Sequence, residues 1–450
     1  MACAVAGSSS DPIDGCASPC CRQEGDEVRV RERRYDIDWW RAVATVAVFL
    51  FHCTRIFDTE GWHLKNDNQS EFLFVLMRCL MGPWLMELFF VIAGVGAWHS
   101  LASRRPGAYL WERASRLLIP LYTVGLFALL PVQYYFDIRT RAGYREKFWR
   151  SVPACFADID PPQLTAWPET LLPVVFPGHL WFLQYLFLIS LTILPLLLYL
   201  RSVRGRALIA KVAQACDRHG GVLLFVIPLA IALIGVRGLF EARRSWPDFV
   251  WYGIYFVIGY VLAADGRFTG SVVRHGWVCL SLWILGFFGG VGLLVRAMGY
   301  DPFPGREVFS LAYVVYQIVW AVTSWSAVVF ILSVGAKYLN RNHAALGWMT
   351  EAALPFYLLH QTVILAVGFL VARWNLEALP KLVLVVTISL PVVVIVCESL
   401  VRPVPAGRRL FGLKPQVGPG AGTWPFVGQR LGLGEQRGPA SAACDEPLRL

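Results

Sequence analysis

The sequence predicts an all-α protein, a polytopic membrane bundle of about ten transmembrane helices with both termini in the cytosol. Three observations predict it. The 450 residues are 56% hydrophobic and only 16% charged, with a mean hydropathy of +0.52; a water-soluble chain of this length carries far more charge. Apolar runs long enough to cross a bilayer recur along the whole chain, and they exceed the strand length of an outer-membrane barrel. The segments between them alternate in charge, with basic ones falling on one side.

Taken in order, spans are expected near 38–56, 73–98, 117–135, 179–200, 222–240, 249–264, 276–296, 308–336, 351–371 and 380–401. The eighth exceeds the minimum length, which a tilt accommodates. Residues 1–33 are polar, lack the apolar core of a cleavable signal peptide, and read as a disordered cytosolic arm. Residues 34–402 form the membrane domain, and 403–450, rich in Gly, Pro and Arg, read as a disordered cytosolic tail.

Orientation follows from the basic segments VRVRERRYDID, 99–116, 201–221, 265–275 and 337–346, which share one side when the spans number ten. The opposite side holds the acidic FDTEGWHLKNDNQSEF and a longer mixed-charge loop at 136–178. The net charge of +10 is thereby assigned to orientation, and no nucleic-acid partner is expected, because the basic residues are dispersed among loops. Of the eleven cysteines, most lie in spans or in the arm, and Cys155 alone is placed clearly in an external loop, so structural disulfides are not expected. Cys16, Cys20 and Cys21 have no histidine nearby, and no metal site is expected. Asn68-Gln-Ser forms a sequon on the external side. The glycine-rich GFFGGVG lies inside a span and reads as close helix packing.

Polar residues at membrane depth carry the chemistry. In WRAVATVAVFLFHCTR, Arg41 sits at the mouth of the first span and His52 lies eleven residues on, about 16 Å deeper on a helix. Two readings fit each residue alone: snorkelling and capping, or use. Asp38, three residues before Arg41, is placed to orient its guanidinium. MELFFVIAGVGAW sets Glu87 within the second span, where a carboxylate must be neutral, paired or wetted. In WERASRLLIPLY, Arg113 and Arg116 share a helix face; they serve either as topology signals or as a phosphate cradle. GHLWFLQYLFL puts His179 and Trp181 at the external interface, and LPFYLLHQTVIL puts Tyr357, His360 and Gln361 at mid-membrane. Three histidines and a glutamate at membrane depth exceed what packing alone requires.

In their order and spacing these stretches resemble acyltransferase family 3, the integral-membrane acyltransferases, over roughly residues 34–402. YDIDWWRAVATVAVFLFHC resembles its first-span motif, ELFFVIAG its FFxxSG-type signature, and RASRLLIP its RxxR motif. GHLWFL and LPFYLLHQ resemble later signatures, closest to the glucan biosynthesis protein C-like branch. Ala93 departs from the pattern: many relatives have serine before Gly94.

The resemblance implies an acyl-CoA-dependent O-acyltransferase in the plasma membrane of a bacterium, multi-pass, with no tightly bound cofactor. It implies transfer of an acetyl or succinyl group to a hydroxyl of a carbohydrate or other cell-envelope acceptor. His52 is then the catalytic residue, and Arg41, Arg113 and Arg116 bind the donor phosphates. Glu87 is a candidate to orient His52 as a triad carboxylate does. His179, Tyr357 and His360 are candidates for acceptor contact or oxyanion support and Trp181 for acceptor contact, while Arg78 either meets a carboxylate on the acyl group or snorkels. The rival class is a secondary transporter, which also carries polar residues at mid-membrane. Family order of the motifs favours the enzyme, and inverted repeats would favour the transporter.

Overall fold

In the computed structural model, residues 34–141, 143–157, 179–239, 246–291 and 309–415 are described. The arm 1–33 with its cysteines, much of the loop 136–178, and residues 416–450 lie outside them. The described part of the unit that begins at Tyr35 is helical, with a single isolated bridge between Asp58 and Ser70. Seven of its helices are long and apolar enough to cross a membrane, or eight if one bent pair counts as a single span. It is a multi-pass membrane protein.

Helix α1 (Tyr35–Thr54) begins with Asp36 and Asp38 in its first turn, where acids complement the helix dipole. It is not among the seven, because Asp38, Arg41 and His52 dilute its apolar run. The expected span at 73–98 is broken into α2 (Glu71–Met81) and α3 (Leu85–Ser103). Pro83, directly after Gly82, lacks the N–H that a continuous helix needs. The carbonyl of Pro83 is satisfied from outside, by the Ser324 hydroxyl at 2.6 Å, as an apolar surrounding demands.

Pro106 then opens a helix at its first position rather than sitting in a loop. Helix α4 (Pro106–Pro120) runs through a π-helical stretch, Leu121–Leu129, into α5 (Leu130–Arg141). The basic segment 99–116 is therefore largely helical. Helix α6 (Phe148–Ala157) buries Cys155, which the sequence placed in a loop. Helices α7 (Trp181–Thr192) and α8 (Leu194–Arg201) meet at a 49° bend beside Pro195. Then follow α9 (Val203–Cys216), α10 (Val226–Leu239), α11 (Trp246–Ala264) and α12 (Arg267–Ile284). The chain closes with α13 (Leu311–Val334), α14 (Ala344–Val371), α15 (Ala378–Val396) and α16 (Pro405–Leu410). The last helix falls within the stretch read as disordered tail.

Two packings position the site. Helix α3 lies closely on α11. A Cβ added at Gly94 would stand 2.0 Å from the Phe256 carbonyl oxygen, and one at Gly259 2.1 Å from that of Val91. Paired small residues let the backbones touch, as in membrane helices generally. Helix α1 lies along α14. Phe49, Cys53 and Ile56 pack there with Phe356, Ile364 and Leu365 in a second apolar cluster.

Candidate active site

The packing of α1 on α14 brings His52 against His360, and the turn before α7 adds His179. Ring centroids lie 4.9 Å apart for His52 and His360, 5.0 Å for His179 and His360, and 6.2 Å for His52 and His179. Hydrogen bonds assign the protons in this cluster. His360 Nδ1 stands 2.7 Å from the Tyr357 carbonyl and donates to it, leaving Nε2 as an acceptor. His52 Nδ1 stands 2.8 Å from the Val48 carbonyl and 3.4 Å from His360 Nε2, so its N–H is shared between them. A ring nitrogen facing a carbonyl holds the proton, and Nε2 of His52 is therefore the basic nitrogen. His179 Nε2 donates to the Leu358 carbonyl at 3.2 Å, and its Nδ1 is buried without a hydrogen-bond partner. Among the described residues no group of three His, Cys, Asp or Glu is arranged to hold a metal ion.

Two cavities follow one another along α1. The first, about 330 Å³, is lined by Arg41, Thr45, Ala93, Gly96, Arg104, Glu112, Arg113 and Arg116. The second, about 530 Å³, is lined by His52, Arg55, Glu60, Trp62, His63, Arg78, Glu87, His179, Trp181, Tyr252 and Gln361. Met86 and Tyr357 line both and form the partition between them. The Tyr357 hydroxyl donates to the His179 carbonyl, fixing the ring in that wall.

The arginine cavity brings Arg41, Arg113 and Arg116 together, as the sequence predicts, and adds Arg104. Four guanidiniums face one carboxylate, Glu112, which pairs with Arg104 and lies 3.9 Å from Arg116. Each arginine is held in place. Arg41 bonds Asp38 at 3.2 Å, Arg113 reaches the Ala93 carbonyl at 3.5 Å, and Arg116 Nε donates to the Gly412 carbonyl at 3.2 Å. Such a cluster of guanidiniums suits a phosphate-bearing ligand.

The histidine cavity departs from expectation at Glu87. Its Oε1 accepts from Trp251 Nε1 at 3.0 Å, and its Oε2 has no hydrogen-bond partner. Because the span breaks at Pro83, Glu87 lies in the first turn of α3 instead of mid-helix, and it turns toward α11. The Val48 carbonyl and His360 take the orienting role at His52. Trp181 lines the cavity beside Tyr252, with centroids 5.4 Å apart, instead of serving only as an interface residue. Arg78 also lines this cavity, over the Phe74 ring.

Sequence reasoning missed the loop that closes this cavity. Arg55 is buried and paired with Asp58 at 2.7 Å and Glu60 at 2.8 Å, and Lys65 bonds Asp58 at 2.8 Å. Burial pushes the Lys65 ammonium below its usual range, while Asp58 opposes the shift. The network presents Trp62 and His63 to the cavity. Its only sequence signal was FDTEGWHLK, where opposite charges are interleaved with an aromatic.

A helical membrane bundle with a cationic pocket next to an aromatic, polar pocket that is itself lined by His52 and His179 has the parts of a membrane group-transfer enzyme. The chain belongs to acyltransferase family 3, whose model, an acyltransferase domain, matches residues 34–398. Glucans biosynthesis protein C of Salmonella typhi is 22% identical over 404 residues, covering 86% of this chain and 96% of the relative. The protein of the same name from Shigella dysenteriae serotype 1 is 25% identical over 410 residues, with the same coverage. No solved structure matches the chain. Family membership selects the membrane acyltransferase over the transporter.

Proposed function

We propose that the protein transfers an acyl group from acyl-CoA to a hydroxyl of a cell-envelope glycan, with His52 as general base. The observation that carries the reading is the pair of cavities sharing the Met86–Tyr357 wall. The donor's phosphates sit among Arg41, Arg104, Arg113 and Arg116. Its pantetheine arm runs beside α1 and presents the thioester at the wall. The rise from Arg41 to His52, about 16 Å, matches the reach of such an arm.

The acceptor occupies the histidine cavity, where Trp62, Trp181 and Tyr252 offer aromatic faces among polar groups. That mixture suits a sugar, whose ring has apolar faces and a polar rim, and the relatives' name speaks of glucan biosynthesis. His52 Nε2 takes the proton of the acceptor hydroxyl as its oxygen attacks the thioester carbon. The tetrahedral intermediate collapses with cleavage of the C–S bond, and the imidazolium returns the proton to the departing thiolate. A succinyl donor would add a carboxylate, for which Arg78, which lines this cavity, is the candidate partner.

In this reading the chain has ten spans, lies in the bacterial inner membrane with both termini cytosolic, and takes its donor from the cytosol. Incubating the purified protein with labelled acetyl-CoA or succinyl-CoA and envelope glycan tests it. Label appearing on the glycan supports the reading, and mass spectrometry of the product names the acyl group. Failure of both donors to be consumed would overturn the donor assignment.

A further inference from the structure

We infer that residues 402–414 form a strap that positions Arg116 for the donor, making a segment beyond the family-matched residues 34–398 part of the donor site. The inference rests on reading the arginine cavity as the donor pocket. Helix α16 ends at Leu410, and two residues on Gly412, with a φ of +70°, closes the turn, with Leu413 N–H bonded to the Arg408 carbonyl at 2.7 Å. That turn aims the Gly412 carbonyl at Arg116 Nε, 3.2 Å away. With Nε engaged, the guanidinium plane is fixed, with one terminal nitrogen 3.9 Å from Glu112 and the group lining the cavity.

The strap is locked from its other end. Buried Arg408 donates to Glu351 Oε1 at 2.5 Å and to the Lys414 carbonyl at 2.9 Å. Arg402 bonds the second Glu351 oxygen at 2.7 Å and Glu398 at 2.7 Å. Glu351 stands beside Thr350, Ala353 and Leu354, which line the same cavity. Strap, lock and pocket wall are thus one assembly. Gly412 has no room for a side chain: a Cβ would lie 2.6 Å from the Arg116 carbonyl oxygen and 2.9 Å from Leu354. Substitution there must move the carbonyl that holds Arg116.

A double-mutant cycle on the full-length protein in detergent tests this, with binding of acetyl-CoA as the readout. Gly412→Ala should weaken acetyl-CoA binding by about tenfold, the value of one charge-assisted hydrogen bond. In an Arg116→Ala background the same change should cost clearly less, since the guanidinium that Gly412 orients is gone and only the contacts with the residue-116 carbonyl and Leu354 remain. Glu351→Gln, which keeps the side chain's shape, should give a smaller loss with the same dependence on Arg116. Equal losses with and without Arg116 would overturn the inference and reduce the strap to a stabilising element. A parent protein that binds no acetyl-CoA would instead overturn the donor reading, and this inference with it.

Discussion

At the residue scale, His52 owes its proposed role to its neighbours more than to its own chemistry. Its Nδ1 proton is committed to the Val48 carbonyl and the His360 ring, so Nε2 is the basic nitrogen of a ring that lines the second cavity. His52→Ala should lower turnover by ~10²–10⁴ while leaving the melting temperature nearly unchanged, since losing a general base costs about that much. Turnover at the parent rate would remove His52 from the mechanism. The arginines belong to the same scale. Arg113→Ala and Arg116→Ala should each raise the KM for acyl-CoA, with about 1.5–3 kcal/mol lost per charge-assisted bond, and leave the KM for acceptor alone. Lysine at either position should rescue only part of the loss, because an ammonium cannot reproduce the guanidinium fork. Kinetics that show no change in donor KM for either alanine variant would leave these arginines as orientation signals only.

At the element scale, the contact of α3 with α11 holds both cavities in register, because α3 carries Met86 and Glu87 in its first turn and Ala93 and Gly96 two to three turns further on. Gly94→Val would drive its side chain into the Phe256 carbonyl. Overpacking of that kind costs about 1–3 kcal/mol, so melting temperature and activity should fall together. Ala93→Ser, one residue away on the cavity wall, adds only a hydroxyl facing open space and should leave the melting temperature where it was. A Gly94→Val protein that melts like the parent would show that the helices part easily. These elements also show what the sequence could and could not reveal. The Arg41–His52 spacing was legible because both lie on one helix, whose rise is fixed. The Gly82-Pro83 break was present in the sequence but hidden inside a long apolar run. With that break hidden, the sequence places Glu87 mid-span, where the structure sets it in the first turn of α3 with Oε1 bonded to Trp251. Arg104 was concealed by reading 99–116 as a loop, when Pro106 starts a helix that turns the segment toward the cavity. The Arg55–Asp58–Lys65 network and the Arg402–Glu351–Arg408 lock depend on burial and on long-range contacts that no local pattern encodes.

At the scale of the whole molecule, the order of the two cavities along α1 sets the direction of transfer. Arg41 and Thr45 line the first, and Val48, Phe51, His52 and Arg55 line the second, so in the proposed reaction donor and acceptor would approach the Met86–Tyr357 wall from opposite ends of one helix. In the proposed mechanism a thioester reacting there would be delivered part-way through the bilayer, and a cytosolic donor would acylate an acceptor on the far side. Sidedness is thus the consequence that a conventional one-faced transferase does not share. The most direct measurement uses sealed vesicles of known orientation, with acyl-CoA and a membrane-impermeant glycan supplied on chosen sides. Transfer should occur only with acyl-CoA on the face bearing Arg41 and Arg116 and with glycan on the face bearing Trp62 and Trp181. Equal transfer with both substrates confined to one face would contradict the two-cavity mechanism.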